Sequence, residues 1–202
     1  MAERNKKAGA RLAYESGVSL LESAGILESE AKYGHAFLLG MFGIEELAKA
    51  EIYAFWAEGD RAIPNLEKLL EGEMIPDNPR AALTDHRAKY RRFAYYLRIS
   101  QVVTLKLGAS EARRLCYVAT TDDQLLKARR LDKARQDAVY VDYRDRDGRW
   151  SSPDRFKKND AGFLLMCGRR YAKWVERTIA EGWKASAAAI QARLGEVTYQ
   201  EI

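Results

Sequence analysis

Two short segments concentrate side chains able to move protons or hold anions. The first is Gly43-Ile44-Glu45-Glu46-Leu47-Ala48-Lys49-Ala50. At about 100° per residue, His35, Phe42, Glu46, Lys49 and Tyr53 share one helix face, with Glu45 to its side. Charges in the middle of so apolar a stretch must be paired or must line a cavity, because an isolated buried charge is costly. The structural pairing is Glu45 with Lys49 at i,i+4, or Glu46 with a cation of another helix. The chemical reading is a carboxylate set in an active or RNA-contacting cleft. The second segment runs Arg80-Ala81-Ala82-Leu83-Thr84-Asp85-His86-Arg87-Ala88-Lys89-Tyr90. His86 aligns with Tyr90, Phe93, Leu97 and Thr104 on an apolar stripe, and Lys89 reaches the same side. Imidazole titrates near neutrality, as general acid–base chemistry requires. The structural alternative is a core histidine satisfied by one hydrogen bond. The chain has two histidines, and His35, set among apolar residues, reads as packed.

A third feature is basic. Arg87, Arg91 and Arg98 line up along one side of the same helix, with Arg92 beside them. Lys127, Arg129, Arg130, Lys133 and Arg135 form a further cluster. Such runs are commonly solvated faces; the alternative is sequence-independent contact with phosphates.

These groups need elements to hold them, and periodicity supplies helices. The first is expected from about Asn5 to Ala24, with Gly25 as its stop. The second is expected from about Glu28 to Glu58 and is apolar nearly all round, which marks a central helix. A short helix follows near residues 64–70, then a loop over 72–79. Asn78-Pro79 reads as N-cap and first helical residue of a helix reaching Leu107. Ser110 caps another short helix, and Asp122-Asp123 starts one ending near Arg135. The stretch Ala138-Val139-Tyr140-Val141-Asp142-Tyr143 is strand-like in composition, and Asp145-Arg146-Asp147-Gly148 is a turn signal. The last helix runs from about Asn159 to Leu194, with Leu164, Tyr171, Trp174, Val175 and Ile179 inward. The expectation is an all-α bundle with one short extended or hairpin insertion near 138–153, in a single helical domain over 1–202.

Composition narrows the classes further. With 202 residues, 47% hydrophobic and 31% charged, the chain can bury a core without disulfide or metal staples. Cys116 and Cys167 form no ligand or CxxC spacing and read as small core residues of a reducing, cytoplasmic compartment. No apolar run follows the basic N-terminus, so no signal peptide is expected. The longest weakly charged run, Gly34 to Ile44, is about half the length a membrane span needs. The net charge of +5 permits nucleic-acid contact without demanding it. Phosphate-loop, dinucleotide, zinc-protease, nucleophile-elbow and helical Glu-x-x-His signatures are missing, which disfavours nucleotide hydrolysis and metal or cofactor chemistry.

Three segments in order resemble a known family: Phe42 to Ala50, His86-Arg87-Ala88-Lys89, and Ala138 to Tyr143 followed by Gly148-x-Trp150-x-x-Pro153. Together they resemble the AbiV family of abortive-infection proteins, which is similar to the HEPN superfamily. Ala48 stands where many relatives carry Gly, a packing change. The resemblance implies a HEPN-like helical bundle, a homodimer, and a role in phage defence. It also implies a metal-independent ribonuclease signature, Arg followed by four to six residues and then His, which Arg80 and His86 satisfy. On a continuous helix those two side chains would lie about 120° apart, so Lys89 is the alternative catalytic cation. The expected site has His86 as acid or base, Arg80 or Lys89 as cation, and Glu45 and Glu46 orienting them. Asp142 and Tyr140 close it from the loop, and Arg87, Arg91, Arg98 and Lys49 contact RNA. The competing expectations are a non-catalytic protein that binds a phage or host protein, and plain single-strand RNA binding.

Overall fold

The computed structural model describes residues 3–58, 83–105, 122–139, 142–144 and 149–182. They form α1 (Glu3–Ser29), α2 (Tyr33–Glu58), α3 (His86–Leu105), α4 (Asp122–Val139), strands β1 (Asp142–Arg144) and β2 (Arg149–Ser151), a 3-10 turn (Pro153–Arg155) and α5 (Lys158–Glu181). The all-α expectation holds, and the insertion is a two-stranded antiparallel hairpin pairing Asp142 with Ser151 and Tyr143 with Trp150.

The apolar circumference of α2 has the consequence its composition requires: α1, α3, α4, α5 and the 3-10 turn all pack on it. Helices α1 and α2 are antiparallel. Lys6 Nζ donates to the Trp56 carbonyl at 2.9 Å, and midway Gly17 faces Gly43. A Cβ built on Gly17 would lie 2.9 Å from the Gly43 carbonyl oxygen, so the two backbones touch there. Helix α5 follows α2 in parallel, with Leu164 and Leu165 against Gly40 and Gly168 near Ile44. Met41, Ile44, Leu47, Tyr90, Phe93, Leu165, Tyr171 and Val175 are fully buried between these helices. The rings of Phe93, Tyr96, Tyr171 and Trp174 continue that core, with Tyr96 and Tyr171 centroids 4.9 Å apart. Phe156 stacks on Phe37 at 4.1 Å, and Arg155 reaches Asp137 of α4 at 2.6 Å. These two contacts fasten the segment after the hairpin to α2 and α4.

Several boundaries differ from expectation. Helix α1 passes through Gly25 to Ser29. A Cβ on Gly25 would meet only the far end of the exposed Arg169 side chain, at 2.6 Å. The chain instead turns at Ala31, which takes φ 61°, so α2 starts at Tyr33 and not near Glu28. The helix expected from Pro79 is interrupted at Asp85, whose carboxylate accepts the Arg87 N–H at 2.8 Å. Asp85 is thus the N-cap of α3, and His86 its first residue. Ala138 and Val139 finish α4 and do not open a strand; Ala138 is buried against the core, and tertiary burial outweighs β-propensity. Helix α5 ends at Glu181, where Gly182 takes φ 80°, short of the expected Leu194. The elements expected at 64–70, at 110 and beyond 182 lie outside the described residues, as does Cys116. Cys167 is buried with a free thiol, its pKa raised by burial against the lowering influence of Arg170.

Candidate active site

The site is built on one carboxylate. Glu45 is 4% exposed and sits on α2 where α3 and α4 cross it. His86, Lys89 and Tyr90 are spaced i, i+3 and i+4, so α3 brings all three to a single face. His86 Nδ1 lies 2.6 Å from Glu45 Oε2, and Lys89 Nζ lies 3.3 Å from the same oxygen. The Tyr90 hydroxyl donates to Oε1, and from α4 Arg135 Nε approaches Oε1 at 3.6 Å. Each carboxylate oxygen therefore meets one hydrogen-bond donor and one cation, the arrangement that makes a buried charge tolerable.

The network sets the state of the imidazole. An ionised carboxylate only accepts, so Nδ1 carries the proton toward Glu45, and the neutral ring keeps its lone pair on Nε2. The His86 side chain is 46% exposed, so this second nitrogen is on the accessible side of the cluster. His86 is not the core histidine its apolar stripe suggested, because as the first residue of α3 it sits where that stripe meets solvent. The buried members of the stripe are Tyr90 and Phe93.

A second acid adjoins the first. Asp132 of α4 accepts from Arg135 Nη2 at 3.1 Å and lies 3.8 Å from Arg87 Nε. Burial disfavours the Arg135 charge, but the Asp132 hydrogen bond and the nearby Tyr90, Glu45 and Asp132 groups outweigh it and raise its pKa. Burial, with Glu45 beside it, likewise pushes the Tyr90 phenol well above its ordinary value. Two acids, Glu45 and Asp132, face three permanent cations, Lys89, Arg135 and Arg87. The Asp85 carboxylate, capping α3 beside His86 and Arg87, offsets the third cation.

The expected residues divide accordingly. Glu45, His86 and Lys89 converge. Glu46 does not join them: it pairs along α2 with Lys49, at i,i+3, the reverse of the expected Glu45–Lys49 pairing. Lys89 is 3% exposed and held against Glu45. Arg87 is exposed at the mouth, and Arg91 is half-buried. Arg92, expected beside the basic face, is buried and pairs with Glu51 at 3.0 Å, over the Phe55 ring. His35, expected to be packed, is exposed in the first turn of α2. Asp142 lies in β1, opposite Ser151. Arg80, Tyr140 and the side chains of Arg98 and Asp142 lie outside the described residues. Because α3 begins afresh after Asp85, the angular objection to Arg80, which assumed a continuous helix, no longer applies.

Sequence reasoning missed Tyr90 and Asp132 as site groups and left Arg135 in a surface cluster. The signals were there in part: Tyr90 shares the His86 stripe, and Asp132 and Arg135 are i,i+3 neighbours. It also missed Glu51, which is 1% exposed. That carboxylate accepts from Tyr171 at 2.6 Å and Trp174 at 3.0 Å and ties α2, α3 and α5 together. A cavity of about 360 Å³ lies farther along α3, walled by Phe37, Phe93, Leu97 and Leu131 among others; the Glu45 cluster does not line it. Among the described residues no three His, Cys, Asp or Glu side chains are grouped to hold a metal ion, and no helix is long and apolar enough to cross a membrane.

Comparison with known families fits this architecture. The HEPN-type AbiV family model matches residues 6–169. The chain belongs to the AbiV family. It is therefore an abortive-infection protein of HEPN type, and the match takes in α2, α3 and α4, the three helices that build the Glu45 cluster. No curated protein and no solved structure matches the chain.

Proposed function

We propose that this AbiV protein is a metal-independent ribonuclease that acts in the cytoplasm, as a homodimer, during phage defence. The observation that carries the proposal is the His86–Glu45 contact of 2.6 Å: a half-exposed imidazole with its tautomer fixed by a buried acid, beside the cations Lys89, Arg135 and Arg87. His86 Nε2 accepts the proton of a ribose 2′-hydroxyl. The 2′-oxygen bonds to phosphorus, the bond from phosphorus to the 5′-oxygen breaks, and that oxygen takes a proton through water from the imidazolium, which restores the neutral ring. The products are a 2′,3′-cyclic phosphate and a 5′-hydroxyl. Glu45 holds the ring and stabilises the imidazolium as it forms, while Tyr90 and Lys89 hold Glu45. Charge accumulating on the phosphorane is met by Arg87 at the mouth and, in this reading, by Arg80, with Arg91 and Arg98 farther along α3 as contacts to the rest of the RNA. Lys49, which pairs with Glu46, is the flanking RNA contact in this reading, with Asp142 and Tyr140 closing the site.

His86→Ala tests it. The side chain is half-exposed but gives up a hydrogen bond to buried Glu45, so the variant should lose about 1.5–3 kcal/mol and its folding is checked by a thermal melt. RNA cleavage should fall by at least ~100-fold, and protection against phage should fall with it. A folded variant that cleaves or protects as well as the parent removes the enzyme reading. The second reading is a non-catalytic protein that binds a phage or host protein. It is favoured by the four partners on Glu45, which are also what a purely structural clasp between helices would require. Unimpaired protection by His86→Ala selects that second reading.

A further inference from the structure

We infer that Arg135 is the phosphate-holding cation of this site and that Asp132 is the residue that positions it. The inference rests on the ribonuclease reading and supplies a group that the Arg-to-His spacing does not contain.

A cation that meets a phosphate must have donors to spare and a route to the imidazole. Lys89 has little access, being 3% exposed with its ammonium on Glu45. Arg92 is committed to Glu51 at the far side of α3. Arg87 is open, its side chain 58% exposed, but its contact to Asp132 is long and nothing fixes its direction. Arg135 combines order with spare capacity. Asp132 holds its Nη2 at 3.1 Å from one turn earlier on α4. Its Nε is buried and has no hydrogen-bond partner, since Glu45 Oε1 at 3.6 Å lies beyond hydrogen-bond length. A guanidinium has five N–H donors, and leaving a buried one unmet costs roughly 1–3 kcal/mol. Nε itself is turned toward Glu45, so a phosphate oxygen would be met by the outer N–H groups of the guanidinium, whose side chain is 17% exposed.

The placement is tied to the imidazole. His86 and Arg135 contact opposite oxygens of the same carboxylate, so one phosphodiester and its ribose can reach both. A phosphate oxygen accepting from Arg135 would leave the 2′-hydroxyl beside His86, and the guanidinium would bear the charge that grows on phosphorus. Asp132 carries a guanidinium on each side, Arg135 from α4 and Arg87 from α3. It thus orients Arg135 by a hydrogen bond and has Arg87 of the neighbouring helix nearby, at 3.8 Å.

The test uses the full chain, a mixed-sequence single-stranded RNA oligonucleotide for cleavage, and its fully 2′-O-methylated counterpart, which cannot be cleaved, for binding. Arg135→Gln should lower kcat/KM by ~100-fold or more and reduce the slope of log affinity against log salt by about 0.7, one phosphate contact on a single strand. Arg130→Gln, an exposed cation of the same helix outside the cluster, serves as comparison and should leave cleavage unchanged. Asp132→Asn should keep the salt slope and lower kcat by roughly tenfold, because the cation remains but is no longer aimed. Thermal melts report folding, and if Arg135→Gln melts early the Asp132→Asn result carries the test. Parental kcat and salt slope in folded Arg135→Gln, or parental kcat in Asp132→Asn, overturn the inference and leave the ribonuclease reading standing. Failure of the parent chain to cleave, with the slope still reduced in Arg135→Gln, sinks that reading and keeps Arg135 as a phosphate contact.

Discussion

Replacing Glu45 by Gln preserves shape and removes one charge, so it isolates what the buried carboxylate does. Lys89 Nζ lies 3.3 Å from it, and at an effective dielectric of ~20 that attraction is about 5 kcal/mol. Burying both ions opposes it at several kcal/mol each, so the pair itself is close to neutral overall. Breaking it is not neutral: Glu45→Gln leaves the Lys89 ammonium buried without its counter-ion, and the expected cost is about 3–5 kcal/mol. Equilibrium unfolding in guanidinium, by linear extrapolation, measures the loss. A melt should show it as a fall on the order of 10 °C. Adding Lys89→Met to Glu45→Gln removes the stranded charge and should recover roughly 1–3 kcal/mol. Glu46→Gln is the contrast, since Glu46 and Lys49 are each about a quarter exposed, and its cost should stay under ~1 kcal/mol. A Glu45→Gln loss below about 1 kcal/mol, or additivity within ~0.5 kcal/mol in the double variant, would refute the claim that Lys89 depends on Glu45.

Two further expectations follow from burial and packing. Tyr96 is pushed up from 10.0 to about 12 by burial, and burial also raises Tyr90 and Tyr171. Phenols that hold their protons more tightly when folded contribute stability that is whole below pH 10 and is lost as pH rises above it toward the folded-state values. Phenolate absorbance from these rings should therefore appear together with unfolding, and their ionisation near pH 10 in a folded chain would contradict their burial. Gly17→Ala places a methyl 2.9 Å from the Gly43 carbonyl oxygen. It should cost about 1–3 kcal/mol although alanine favours a helix by ~1 kcal/mol over glycine; a more stable variant would show that α1 and α2 are not in backbone contact there.

Residue spacing alone suffices for the helical class, the central place of α2 and the shared face of His86, Lys89 and Tyr90. These follow from spacing along one helix and need no partner. The sequence also marked the hairpin region, though not that Ala138 and Val139 belong to α4, because strand-like composition there is outweighed by the burial of Ala138 against the bundle. Which acid the imidazole meets was beyond it. Glu45 and Glu46 are adjacent and differ only by about 100° of rotation, and the packing of α3 on α2 turns Glu45 inward and leaves Glu46 to Lys49. Asp132 and Arg135 were equally hidden, since a pair of i,i+3 charges looks the same on a solvated face as against a buried carboxylate. Nothing along the chain singles out Glu51, whose partners Arg92, Tyr171 and Trp174 come from α3 and α5. Spacing fixes the neighbours within a helix, whereas the partners of a buried charge come from distant segments and are decided by how the helices pack.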